Sequence, residues 1–323
     1  MNGPKNGPHN GMDRRQFLKY QLQGMLWVAG GSLLMPARSL AAKSSETKAI
    51  DGSPDLAVVK GGPEAATRAA VEMLGGMKQF VKKGARVVIK PNMSFPTPPE
   101  RASNTHPAVV QTLTAMCKQA GAGRVLVLDN PLAPEEQCIE GSGIARACKS
   151  VEDDMVHTVT NPSRYKEVEI PKAKSLTRTD VMREVLSADV LIAAPVAKSH
   201  SSAGVSLSMK GMMGLIYNRS IMHQRDLHET ITDLASLLTP QLAVIDATRV
   251  LSTGGPGGPG KVLTPDTVIA SPDMVAADSY AVSAFEWYGK RYSGDQIRHI
   301  RLAHQRGLGR MDIDNLNVKK ITL

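Results

Sequence analysis

The chain has 323 residues, a formal net charge of +9, 42% hydrophobic but only 4% aromatic residues, and 3 cysteines. The hydrophobic fraction excludes a mainly disordered chain, and scattered glycines exclude a collagen-like repeat. Three cysteines exclude a disulfide-rich scaffold, and the length suffices for one large α/β domain.

Taken from the N-terminus, a polar stretch over residues 1–12 leads into Asp13-Arg14-Arg15-Gln16-Phe17-Leu18-Lys19. This resembles the signal of the twin-arginine export pathway, which carries folded proteins. An apolar run at 22–35 follows, broken by Gly24, Gly30 and Gly31. A membrane span needs roughly 20 apolar residues, so no permanent anchor is expected. Ser39 and Ala41 fit a signal-peptidase site, which places the cut after Ala41. Residues 1–41 are therefore expected to be a cleaved signal peptide that engages the twin-arginine export machinery, and the mature protein to be periplasmic. Their removal takes away five basic residues and one acidic residue and leaves a net +5. That mild value, without a basic stripe interleaved with aromatics, excludes nucleic acid as the expected partner.

Residues 42–54 are polar and read as a flexible lead-in to a domain over 55–323. Strands are expected at 56–60, 86–90, 124–128, 190–194, 242–245 and 267–270. Helical spacing marks 64–81, 107–120, 227–238, 273–287 and 294–305. Nearly continuous apolar strands alternating with helices predict an α/β fold, a mostly parallel sheet covered by helices on both faces, in a single large domain.

Ligands of open parallel sheets bind beyond the C-terminal ends of the strands. Those ends carry Lys90-Pro91-Asn92, Asp129-Asn130, residues 195–200 and Asp246. The densest stretch is 195–214, where Lys198, His200 and Lys210 stand among hydroxyls and glycines. Lysine and histidine beside a close backbone approach can hold an anion or transfer a proton. His200 and Lys210 are the candidate catalytic residues; Asn92, Lys198, Asp246, Gly257 and Gly258 are the candidate ligand-binding ones. His223 and His228 follow at a five-residue spacing, which is not the i, i+4 pair that puts two ligands on one helical face.

Gly255-Pro256-Gly257-Gly258-Pro259-Gly260-Lys261 has the spacing of a phosphate-binding loop. Val262 stands where Ser or Thr would meet magnesium, and two prolines remove N–H donors. The stretch reads instead as a stiff loop able to cover the strand-end cleft. Cys117, Cys138 and Cys148 lack C-x-x-C spacing and cannot supply the four thiolates of a usual iron–sulfur cluster. A Cys138–Cys148 disulfide is left open by spacing alone.

The motifs Ile89-Lys90-Pro91-Asn92, Thr105-His106-Pro107, Lys198-Ser199-His200 and the run 204–214 occur in order along the chain. With Leu227-His228, Asp233-Leu234, Asp246, Ser271-Pro272-Asp273 and Ala277-Asp278, they resemble the uncharacterised family catalogued as domain of unknown function 362. The resemblance covers about 55–290 and brings no reaction with it. Relatives with ferredoxin-like cysteine clusters carry a module that this chain lacks. A weaker similarity is to the nickel-pincer lactate racemases. It would make His200 an acid/base, Lys210 a cofactor anchor and His223 or His228 a metal ligand, although Ser208-Met209 departs from the family pattern before the lysine. The expectation is an exported protein that binds a small anionic ligand or a cofactor, with a metal or redox link, in a strand-end cleft. The alternatives are a non-catalytic periplasmic binding or accessory protein for a redox partner and, third, a nickel-cofactor racemase-like enzyme.

Overall fold

The computed structural model describes residues 52–323. The expected signal peptide and most of the lead-in lie outside the described residues. From β1 (Leu56–Lys60) the chain runs through α1 (Pro63–Met73), β2 (Arg86–Pro91), α2 (Pro107–Gln119), β3 (Arg124–Asp129), α3 (Glu135–Ser142), α4 (Ile144–Cys148) and β4 (Val156–Thr158). A separate two-stranded hairpin, β5 (Tyr165–Glu169) and β6 (Arg178–Met182), precedes α5 (Arg183–Leu186). Then come β7 (Val190–Ala194), β8 (Val196–His200), β9 (Gly204–Ser206), α6 (Ser208–Gly211), α7 (Ser220–His223), α8 (Leu227–Leu237) and β10 (Leu242–Leu251). The chain ends with β11 (Val262–Leu263), β12 (Thr267–Ser271), α9 (Met274–Ala284), α10 (Arg298–Gln305) and β13 (Val318–Thr322).

The main sheet has the order β13-β1-β12-β10-β7-β2-β3-β4. Along this path the pairs are parallel except at β12, which runs antiparallel to both β1 and β10. The fold is thus α/β, with a mixed but mostly parallel sheet, in a single domain. Successive residues of a strand point to opposite faces, so the apolar runs feed two cores. On one face Val87, Ile89, Val125 and Ile192 pack with Ala70 and Val71 of α1, Val109 and Leu113 of α2, and Ile144 of α4. On the other, Val88, Leu126, Leu191 and Ile245 pack with Met209 of α6, Ile231 and Leu234 of α8, Val275 of α9 and Ile300 of α10. Burying side chains of this size contributes about 1.5–3 kcal/mol each relative to exposure.

Three local expectations change. The helix expected over 64–81 stops at Met73, because Gly75 and Gly76 adopt φ of +95° and +82° and turn the chain into a short 3-10 helix at Met77–Gln79. The segment expected over 294–305 starts with a 3-10 turn, Gly294–Gln296, before α10. Most consequential for the site, residues 196–200 are strand rather than loop. Pro195 has no N–H to give and separates β7 from β8. Beyond it, β8 resumes alongside β10, pairing Val196 with Asp246, and forms a hairpin with β9 in which Lys198 faces Ser206.

The three cysteines are free thiols, all buried, so Cys138 and Cys148 are not joined. Burial pushes the Cys117 and Cys148 thiols up, to about 12 and about 11. Among the described residues, no helix is long and apolar enough to cross a membrane.

Candidate functional site

A cavity of about 250 Å³ opens beyond the ends of β2, β3 and β7. The end of β2 brings Lys90, Asn92 and Ser94 to its wall, and β3 brings Asp129. Alternation along β8 turns Lys198 and His200 to one side, and both line the cavity. The turn of α6 adds Lys210, and Arg219 and His223 close the side at α7. Phe95, Met213 and Pro256 supply apolar surface.

At its floor lies a buried ion pair, with Lys90 Nζ 3.1 Å from Asp129 Oδ1. The other carboxylate oxygen, Oδ2, accepts the Met93 N–H at 2.8 Å and the Ser94 hydroxyl at 2.9 Å. Lys90 also donates to the Pro91 carbonyl. Gly214 crosses directly over this pair. A Cβ there would lie inside the van der Waals radii of Asp129 Oδ1 and Lys90 Cε, so only glycine permits the approach.

The remaining cations have no carboxylate of their own. Lys198 donates to the Ser103 carbonyl at 2.6 Å and lies 5.1 Å from the centroid of the Phe95 ring. Burial lowers its pKa to about 7; Asp129 resists the fall, and Lys90 and Lys210 add to it. Lys210 is lowered to about 8 by burial and then by the Arg219 guanidinium; its Nζ meets only the Met213 sulfur, at 3.6 Å. Arg219 donates to the Pro131 carbonyl at 2.7 Å. His200 is held neutral, pushed down to about 3 by burial, with Lys210, His223 and Lys198 adding to it. Its Nδ1 accepts the N–H groups of Ser202 and Ala203 at 3.2 and 3.3 Å, which puts the ring proton on Nε2. Asp278 of α9 fixes the turn that carries Lys210. Its two carboxylate oxygens accept the N–H groups of Ser208 and Met209 at 2.8 and 2.9 Å.

The model of the domain of unknown function family DUF362 matches residues 87–283. The chain belongs to the DUF362 family. Every residue named as lining the cavity falls inside the matched region. A thylakoid-associated protein of Synechocystis sp. is 28% identical over 225 residues, covering 66% of this chain and 67% of its own. Among solved structures, the lactate racemase apoprotein from Thermoanaerobacterium thermosaccharolyticum is similar with a TM-score of 0.42 and 14% identity, over 70% of this chain and 56% of that one. A Thermotoga maritima protein is similar with a TM-score of 0.33 and 15% identity, over 58% of this chain and 51% of its own. The chain thus spans little more than half of either solved chain.

Within this DUF362 fold the candidate residues separate into two groups. Lys198, His200, Lys210, His223 and Asn92 come together at the cavity, although the Asn92 Oδ1 is already accepting the Val196 N–H at 3.0 Å. Asp246 lies behind the wall as a structural clamp: Oδ2 accepts the His106 N–H at 2.7 Å, and Oδ1 accepts the N–H and hydroxyl of Thr248 at 3.0 and 2.6 Å. His228 points to another partner, His299, with Nδ1 atoms 3.3 Å apart and stacked rings. It therefore does not join His223. Gly257 packs beside the Phe95 ring rather than lining the cavity, and Gly258 takes a φ of +78° that shapes the loop. The loop does reach the site through Pro256, anchored by the Gly255 N–H on Ser199 Oγ at 3.0 Å.

The sequence marks Lys90 and Asp129 only as polar strand ends and does not mark Arg219 or Phe95. Nothing in the local pattern marks Arg219. For Asp129, the signal is its place at the end of β3, directly after the four buried residues 125–128. Among the described residues, no three His, Cys, Asp or Glu side chains gather into a set that would hold a metal ion. A metal-holding site does not fit this cavity's donors, and no chemistry is assigned through one.

Proposed function

We propose that this DUF362 protein binds a small, multiply charged organic anion in the strand-end cavity. One observation carries the reading: Lys90, Lys198, Lys210 and Arg219 converge on a cavity whose only lining carboxylate, among the described residues, is Asp129. Lys90 and Asp129 cancel, which leaves up to three positive charges facing a space that excludes much of the water. Charges in such surroundings interact far more strongly than at an open surface. The lysine pKa values are lowered first by burial and then by the neighbouring cations, and a bound anion would oppose the fall. The second-preferred reading, a non-catalytic binding protein, uses the same cavity; His200 and Lys210 are the groups placed to move a proton on a bound ligand.

The pH dependence has a definite sign. An anion needs the ammonium forms, which prevail below the folded pKa values of about 7 and about 8. Binding should be strongest near pH 6 and fall as pH climbs toward about 9. Thermal-shift and calorimetric titrations with phosphate, malonate, succinate and citrate test this. The expected result is that at least one of them stabilises the protein, and that Lys198→Met weakens its binding about tenfold or more, equal to about 1.4 kcal/mol. Indifference to every anion, or equal affinity in the variant, would overturn it.

We also propose that the protein is exported as a folded chain and that residues 1–41 are its leader. The support is the Arg14-Arg15 pair, the short apolar run and the small-residue end at Ala41.

A further inference from the structure

Resting on the anion reading above, we infer that Lys210 is a nucleophilic amine that forms an imine with the carbonyl carbon of a small oxo acid held in the cavity. The three lysines of the site differ in what holds their nitrogen. Lys90 is committed to Asp129 and to the Pro91 carbonyl. Lys198 gives a 2.6 Å hydrogen bond to a carbonyl and sits over an aromatic ring, two contacts that reward the charged ammonium. Lys210 has neither. Its nitrogen meets a thioether sulfur, a weak acceptor with little hold on a proton, and it is only 8% exposed.

The framework places this amine rather than leaving it to roam. Lys210 stands on a single helical turn whose leading N–H groups are pinned by the buried Asp278. Removal from water and a nearby guanidinium are the two conditions that turn a lysine into a nucleophile near neutral pH. Both are met, and they bring its pKa to about 8. The neighbours suit the other end of an oxo acid: Lys198 and Arg219 for the carboxylate, and the Nε2–H of neutral His200 for the carbonyl oxygen.

The chemistry balances without an added oxidant or reductant. The lone pair of the neutral amine attacks the carbonyl carbon, a C–N bond forms as the carbonyl π bond breaks, and one amine proton passes to the oxygen, which becomes the hydroxyl of a carbinolamine. That C–O bond then breaks, the oxygen leaves as water with the second amine proton, and the nitrogen lone pair closes the C=N bond. Amine and oxo acid give imine and water.

The test traps the imine in the full chain. Protein is incubated with glyoxylate or pyruvate, reduced with borohydride, and weighed and peptide-mapped by mass spectrometry. The expected product gains the mass of the oxo acid less one oxygen atom, with the label on Lys210. Malonate, which has no ketone or aldehyde, should protect against labelling, and Lys210→Arg, which keeps the charge, should lose the label. Protection of the wild-type chain gives the answer even where the variant folds poorly. No adduct on Lys210 with either acid overturns the inference, as does labelling spread over exposed lysines and insensitive to malonate. The two readings fail separately: anions that stabilise the protein while no adduct forms remove the imine alone, and labelling of Lys210 with no stabilisation by inert anions removes the multiply charged ligand alone.

Discussion

Lys90 and Asp129 show how a single residue can be both structure and site. Both are essentially inaccessible, at 2% and 0% exposure, so neither charge can fall back on water if its partner is lost. Removing one member of a buried pair costs about 3–5 kcal/mol, whereas replacing both with apolar groups of similar volume is often close to neutral. Asp129→Asn should therefore lower the stability read from denaturant melts by an amount in that range, and Lys90→Met/Asp129→Leu should recover part of it, since the Met93 N–H and the Ser94 hydroxyl still lose their acceptor. A double variant as unstable as the single would show that the pair does not act as a unit. Asp129 was visible in the sequence as a strand-end carboxylate, but ordinary turn chemistry accounts for Asp in that position equally well. Its role depends on Met93, Ser94 and Gly214, which no local window contains.

At the level of elements, the strands were legible because β-branched runs buried on both faces carry their own signature. β7 and β2 are examples, at 190–194 and 86–91. β8 was not, because it follows a proline and alternates Lys, Ser and His where a strand of the core would be apolar throughout. The same alternation is what directs Lys198 and His200 into the cavity. Asp278 is marked in the sequence only as part of the Ala277-Asp278 motif, although it is a carboxylate inside a largely apolar helix, α9, where a charge has no local reason to be. Burial raises its pKa to about 7, opposed by the Met209 and Ser208 N–H groups it accepts. Asp278→Ala should cost about 2–6 kcal/mol, at about 1–3 kcal/mol for each of the two buried N–H groups left without an acceptor. It should also weaken anion binding by loosening the turn that carries Lys210. Stability loss with unaltered affinity, measured by titration calorimetry, would uncouple the turn from the site.

Across the whole molecule, the net charge of +9 divides between residues 1–41, the proposed leader, and the rest of the chain. Four of the nine units belong to residues 1–41, and of the basic residues beyond them Lys90, Lys198, Lys210 and Arg219 line one cavity. The matched family region spans 87–283, yet the sheet extends beyond it: β1, at 56–60, pairs with β12, and β13, at 318–322, pairs with β1 at the edge. The proposed leader makes its own prediction. Arg14→Lys/Arg15→Lys should leave the protein uncleaved inside the cell, and N-terminal sequencing of the exported wild type should begin close to Ala42. Cleaved, exported protein from the double variant would show that these arginines are not an address.

Gly214 has a consequence for how this chain can vary. Three distant segments meet at its α-carbon, so the tolerance of one position is set by the identities of two others. Alanine at 214 is excluded while Lys90 and Asp129 keep their length, and becomes admissible only once both are shortened. The three positions form an epistatic triplet: the ion pair cannot be kept while the glycine is lost, and the effect of a change at 214 depends on the background in which it is made.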